Sequence, residues 1–139
     1  MTRRIPFNTP NVTGGEFENI QDAINTGKIS GDGKYTRLVH SWFRDRYGFQ
    51  NALLTTSCTD ALEMAAILSD FCEGDEVIIP SYTFVSSVNP FLMHGANVVF
   101  ADSEVYNPNV SIDSILQCIS SKTKAIVVVH YAGICIDMP

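Results

Sequence analysis

Leu53-Leu-Thr-Thr-Ser-Cys-Thr-Asp-Ala-Leu-Glu-Met-Ala-Ala66 and Gly74-Asp-Glu-Val-Ile-Ile-Pro-Ser-Tyr-Thr-Phe-Val-Ser-Ser87 decide the fold of this 139-residue chain. Each reads as a short apolar strand running through a small polar turn into a helical pattern. Outward from them, apolar runs recur at Leu53–Leu54, Val77–Ile79, Val98–Phe100 and Ala125–Val129. Helical patterns fill the gaps, at about Thr59–Phe71, Thr83–His94 and Ser111–Ile119, and Asn89-Pro90 should interrupt the second. Near-continuous Val/Ile runs separated by helices predict strands buried on both faces. The fold class is therefore α/β, a mainly parallel sheet flanked by helices with right-handed crossovers.

Residues 1–50 have a different texture. Thr13-Gly-Gly-Glu16 fits a capping box, followed by Phe17, Ile20 and Ile24 at helical spacing and a stop at Gly27. A second helix is predicted from about Tyr35 to Tyr47, ending at Gly48. Between them runs the glycine-punctuated loop Lys28-Ile-Ser-Gly-Asp-Gly33. The expected organisation is one partial domain over 1–139. It has a helical segment at 1–50 and a βαβαβαβ portion at 51–139. After the strand at Ala125–Val129 the residues that remain are too few for a covering helix, so a truncated sheet is expected.

Composition narrows the function classes. The formal net charge is −6, and no basic face that would suit nucleic acid is visible. Arg3-Arg4 and Arg44/Arg46 read as solvated surface. No apolar stretch reaches the roughly 18 residues of a membrane span, and no signal peptide is visible. The four cysteines lack Cys-x-x-Cys spacing. Reduced thiols in or near the core are expected, and with them a reducing cytoplasm. His40, His94 and His130 are too scattered for a metal site.

Ligands of open parallel sheets bind beyond the carboxyl ends of the strands. Three such ends, Thr55–Thr59, Pro80–Phe84 and His130–Gly133, should meet at one edge. The N–H groups of Cys58 and Thr59 open a helix there and could receive an anion. An ordinary Ser57 or Thr59 cap fits the same spacing and is the commoner occupant. The lysine and glycines of a nucleoside-triphosphate loop are missing. Phe84 could stack on a planar ligand, or belong to the core as such phenylalanines more often do. His130 and Tyr131 are candidate acid–base groups, although a histidine closing a buried strand is more often structural.

Ser57-Cys-Thr-Asp-Ala-Leu62, Gly74–Ser87 and Val129-His-Tyr-Ala-Gly133 together resemble the DegT/DnrJ/EryC1/StrS sugar aminotransferases. These are pyridoxal-phosphate enzymes of the aspartate-aminotransferase fold. Gly27-Lys-Ile-Ser-Gly-Asp-Gly33, Thr36-Arg37 and Leu62-Glu-Met-Ala-Ala66 resemble the dTDP-4-amino-4,6-dideoxygalactose transaminase subgroup. The likeness runs from about Ile5 to the last residue and covers the first third or so of a family member. It implies the N-terminal part of the large domain of such an enzyme, with pyridoxal 5'-phosphate as cofactor. Cys58 and Thr59 match the phosphate-binding pair, Phe84 the ring-stacking aromatic, and Gly31 and Asp32 a loop near the nucleotide-sugar.

The resemblance further implies a homodimer that moves an amino group from glutamate to C4 of a dTDP-4-keto-6-deoxy sugar. The Schiff-base lysine of the family, in a Ser-Phe-x-x-x-Lys stretch, matches none of Lys28, Lys34, Lys122 and Lys124. No catalytic residue is therefore assigned, and weak or no cofactor binding and little activity are expected of these 139 residues. Two alternatives stand beside this reading. One is a sugar dehydrase of the same family, and the other a self-contained flavodoxin-like binding domain without catalysis.

Overall fold

The structure is a computed structural model that describes residues 4–6 and 8–138. Arg3 lies outside the described residues, and Arg4 is exposed. The backbone falls into two compact units, Met1–Leu54 and Thr55–Pro139.

The first unit carries α1 (Glu16–Asn25) and α2 (Lys34–Tyr47). Only half of the expected capping box forms. The Glu16 carboxylate accepts from the Thr13 N–H at 2.7 Å, the Thr13 hydroxyl at 2.9 Å and the Gly14 N–H at 2.9 Å. These donors hold the Glu16 carboxyl down from an ordinary 4.5 to about 2, the Thr13 amide foremost. Because the Thr13 hydroxyl donates, it caps no helical amide, and Gly15 precedes the helix without a side-chain bond. Gly48 stops α2 in the left-handed region, at φ 69°, with its N–H on the Arg44 carbonyl. The Tyr35 hydroxyl, 3.0 Å from the Asp22 carboxylate, and the Lys34–Asp22 ion pair at 2.7 Å join the two helices.

The second unit is the α/β part. It holds α3 (Cys58–Leu68), β1 (Glu76–Pro80), a 3-10 turn (Val85–Ser87), α4 (Asn89–Met93), β2 (Asn97–Ala101), α5 (Ile112–Cys118) and β3 (Thr123–Ile126). All strand pairs are parallel, in the order β2-β1-β3. As the central strand, β1 buries Val77 through Pro80. Successive side chains of a strand point to opposite faces, so Val77 and Ile79 join Ala66, Phe91 and Ala96, while Ile78 joins Ala101 and Val110. The first cluster is filled from α3 and α4. The half-buried Ile115 and Cys118 of α5 pack on the second. Both faces of β1 are thus covered, but the flanking strands are not sealed as the apolar runs predict: Phe100 of β2 is 55% and Ile126 of β3 is 43% exposed.

Three expectations need correction. Leu53–Leu54 forms no strand, so the first β of the expected βαβαβαβ portion is missing. A strand exists only as part of a ladder, and among the described residues this run has no partner; the Leu54 N–H instead donates to His40 Nε2 at 3.0 Å. The last strand ends at Ile126 rather than Val129, although the Val127 N–H still reaches the Ile78 carbonyl at 2.8 Å. The cysteines are free, as expected, but Cys58, Cys72 and Cys135 are exposed rather than near the core, and only Cys118 is half-buried. The predicted interruption at Asn89-Pro90 is present: a 3-10 turn and a five-residue α4 replace one long helix. Pro90 sits in the first turn of α4, where its missing N–H costs nothing.

Candidate functional site

In the second unit, the site builds from the turn that opens α3. Ser57 is extended at φ −152° and caps the helix, its hydroxyl accepting the Asp60 N–H at 3.1 Å. The Ala61 N–H is taken by the Ser57 carbonyl at 3.3 Å. The Thr55 hydroxyl donates to the same carbonyl at 2.7 Å, and the Thr56 hydroxyl to the Asp60 carboxylate. That bond, with the Ser57 hydroxyl second, holds the Asp60 carboxyl below its usual range.

Two helix-opening amides remain, those of Cys58 and Thr59, and no acceptor takes them among the described residues. Unfilled N–H groups at the positive end of a helix form an anion receptor. Cys58 is exposed and Thr59 half-buried, so the receptor is open to solvent. The cap read from sequence is therefore present, and it leaves room for an anion at the next two amides. Ser57 caps, and the two residues after it stay free.

Phe84 follows the carboxyl end of β1 and precedes the 3-10 turn, and the residue is 72% exposed. It is therefore not a core residue. Both α3 and α4 pack against that turn, which keeps the Phe84 segment next to the helix whose first amides are free. The free amides of α3 and the exposed Phe84 thus lie on elements that pack together.

At the neighbouring strand end the two acid–base candidates part. His130 Nδ1 accepts the Ile136 N–H at 3.1 Å, a loop-closing role. Tyr131 places its hydroxyl 3.3 Å from that of Tyr82, with the rings 5.1 Å apart. Its backbone N–H is held at 3.0 Å by Asn109 Oδ1, while Asn109 Nδ2 donates to the Ile134 carbonyl at 3.0 Å. Asn109 is 5% exposed. Sequence reasoning missed Asn109 and Tyr82. Tyr82 lies within the diagnostic stretch, whereas nothing local separates Asn109 from any turn asparagine in Asn107-Pro-Asn109.

Gly31 and Asp32 lie in the first unit, both exposed, on the loop between α1 and α2. Asp32 is left-handed at φ 59°, and its carbonyl accepts Arg37 Nη1 at 2.8 Å. Ile20, Ile24, Lys28, Ile29, Gly33 and Lys34 are among the residues lining a hollow of ≈ 280 Å³ beside this loop. Lys34 pairs with Asp22, Lys124 pairs with Asp75 at 2.9 Å, and Lys122 and Lys124 sit at the amino end of β3.

The family model of the DegT/DnrJ/EryC1/StrS aminotransferase family matches residues 10–139. The chain belongs to this family. GDP-perosamine synthase of Escherichia coli O157:H7 is 36% identical over 134 residues, covering 96% of this chain and 37% of that protein. Spr1654 of Streptococcus pneumoniae, assigned as a sugar aminotransferase, superposes in its PMP-form with a TM-score of 0.85 at 30% identity. The overlap covers 97% of this chain and 34% of that one. The PLP-form of the same protein superposes at 0.81 and 29% identity, over 97% of this chain and 34% of the other. The DegT-type chain thus spans about a third of the length of the relatives it matches, within a pyridoxal-phosphate-dependent family. Among the described residues no helix is long and apolar enough to cross a membrane.

Proposed function

We propose that this chain is the N-terminal, phosphate-receiving part of a transaminase that acts on a nucleotide-linked keto sugar with glutamate as amino donor. The pair of unclaimed amides at Cys58 and Thr59 carries the reading, supported by the exposed Phe84 ring beside the turn on which α3 packs. In this reading Cys58 and Thr59 donate their N–H groups, and Thr59 its hydroxyl, to the phosphate of pyridoxal 5'-phosphate. The dipole of α3 adds to this by about 0.3–1 kcal/mol. Phe84 covers one ring face and keeps water from it. When bound, the cofactor supplies the electron sink that amino-group transfer needs. Lys122 precedes β3 and Lys124 is its second residue, at the end of the sheet opposite its carboxyl edge, so neither is assigned a bond to the cofactor, and no catalytic residue is assigned within the chain. Gly31 and Asp32 are assigned to the nucleotide-sugar. A homodimer in the cytoplasm, without nucleic-acid or membrane partners, completes the proposal.

The sequence resemblance favours a dTDP-4-keto-6-deoxy sugar, aminated at C4. The curated relative in E. coli is named for a GDP-sugar, so dTDP and GDP ligands titrated in parallel decide the base. Tighter binding of the dTDP ligand is expected, and preference for GDP would refute that part.

The amide receptor has its own test. Cys58→Pro removes one N–H at the first helical position, where proline is tolerated, after an extended Ser57 that can precede it. Helix content should hold while binding of pyridoxal 5'-phosphate, followed by its absorbance, weakens about tenfold, the order expected for a bond to a charged group. Unchanged affinity in a folded variant would remove the phosphate from α3.

A further inference from the structure

We propose that Tyr131 is a positioning residue: its hydroxyl bond to Tyr82, presented by a loop clamped on buried Asn109, holds the segment that carries Phe84. The consequence for the cofactor rests on the function proposed above, while the latch itself does not.

The observations converge from two neighbouring strands. β1 and β3 are adjacent and parallel, so the chain leaves both at the same edge of the sheet. After β1, Ser81 is fixed by its N–H to the Ala101 carbonyl at 2.8 Å, and Thr83 by its hydroxyl to Ser87 Oγ at 2.9 Å. Tyr82 lies between them and is 53% exposed, so packing alone does not hold its side chain. Its phenol meets that of Tyr131 at 3.3 Å, a weak bond longer than the usual O–H···O contact of about 2.5–3.0 Å. The ring pair at 5.1 Å adds an aromatic contact.

The other side of the latch is more tightly built than a connecting loop requires. Asn109, almost wholly buried, spends both polar atoms of its amide on the 131–134 stretch. Ala132 is held left-handed at φ 53°, a conformation rare for a residue with a Cβ. The His130 ring closes the loop on Ile136. What this framework presents outward, toward the Phe84 segment, is the Tyr131 phenol. Phe84 lies two residues from Tyr82, and its ring has no aromatic neighbour among the described residues. The residue is 72% exposed, so packing holds it little, and the backbone on which it rides sets where the ring can reach.

The test uses Tyr131→Phe, Tyr82→Phe and the double variant, which remove hydroxyls and keep both rings. Amide hydrogen exchange is read first, without ligand. Exchange over residues 82–87 should quicken about two- to fivefold, the scale of one modest hydrogen bond, while β1 is unchanged. The double variant should match either single one, because all three lose the same bond. Pyridoxal 5'-phosphate and inorganic phosphate are then titrated. The former should weaken by the same factor, with a changed circular dichroism of its absorbance band; the latter should be unaffected, because the α3 amides are untouched.

Unchanged exchange over 82–87 in both single variants overturns the latch. Faster exchange with unaltered pyridoxal-phosphate affinity and dichroism overturns its role in the site. Faster exchange in a chain whose wild type binds no pyridoxal phosphate, an outcome already expected of these 139 residues, upholds the latch, which the exchange alone tests.

Discussion

The two units of this chain solve the problem of burial in opposite ways. In Thr55–Pro139 the central strand is sealed on both faces, with Val77 and Ile79 at 0% and Ile78 at 1% exposure. In Met1–Leu54 the apolar stripe of α1 is open, with Phe17 at 79%, Ile20 at 55% and Ile24 at 53%. The residues have the same chemistry and good helical spacing. Periodicity alone therefore places a side chain on a face without covering that face. The first unit is held instead by polar ties between its helices and by an aromatic group in which Trp42, Tyr47 and Phe49 are exposed and Phe43 half-buried. Such a unit should open locally far more readily than the sheet.

The sharpest way to break this contrast is a matched pair of truncations. Ile79→Ala should cost about 2–5 kcal/mol, the range for emptying a packed site. Ile20→Ala should change stability by no more than about 0.5 kcal/mol, because its side chain is half in water and alanine favours helix. Urea unfolding of both variants measures this, and equal losses would mean the first unit buries Ile20 in solution.

A smaller effect is expected at the α3 cap. Ser57→Ala leaves the Asp60 N–H without its acceptor and should cost about 1 kcal/mol. A thermal melt gives the number, and backbone NMR shifts of α3 locate it. Restriction of the shift changes to the first turn would sharpen the assignment of Ser57 as cap and of Cys58 and Thr59 as receptor.

The smallest effect belongs to Glu16. Its carboxyl is depressed in the folded chain, so the stability it confers is present above the ordinary 4.5 and is lost as pH falls toward about 2. Helical signal from α1 should therefore fade across that window before the sheet responds. Glu16→Gln should remove this step while leaving the acid response of β1 amides unaltered. An α1 signal that stays flat between those pH values would show that the Thr13 and Gly14 amides are not bound in solution.

Much of the second unit was legible because its signals are local. Val77–Ile79 announces a strand covered on both sides. Asn89-Pro90 announces a broken helix, and in the first unit Gly48 announces the end of α2. The site was partly legible for the same reason: strand, short polar turn and helix follow one another in the chain, so the free amides of Cys58 and Thr59 could be expected from a dozen residues. Leu53–Leu54 misled because two leucines after Asn51-Ala52 look like a strand on local terms, yet a strand needs a partner that local terms cannot supply. Asn109 was invisible because its worth lies in residues more than 20 positions away.

By itself, the sequence determined the helices and the three strands that found partners, where several of them stop, and which turn opens α3, since dihedral preference and hydrophobic period act over a few neighbours. Only the tertiary structure decided that Leu54 would bond His40 rather than a strand, that Phe84 would stand in solvent, and that Tyr82 would meet Tyr131. Those outcomes depend on which groups distant in sequence arrive within bonding distance, and a hydrogen bond acts over about 3 Å however far apart its partners lie along the chain.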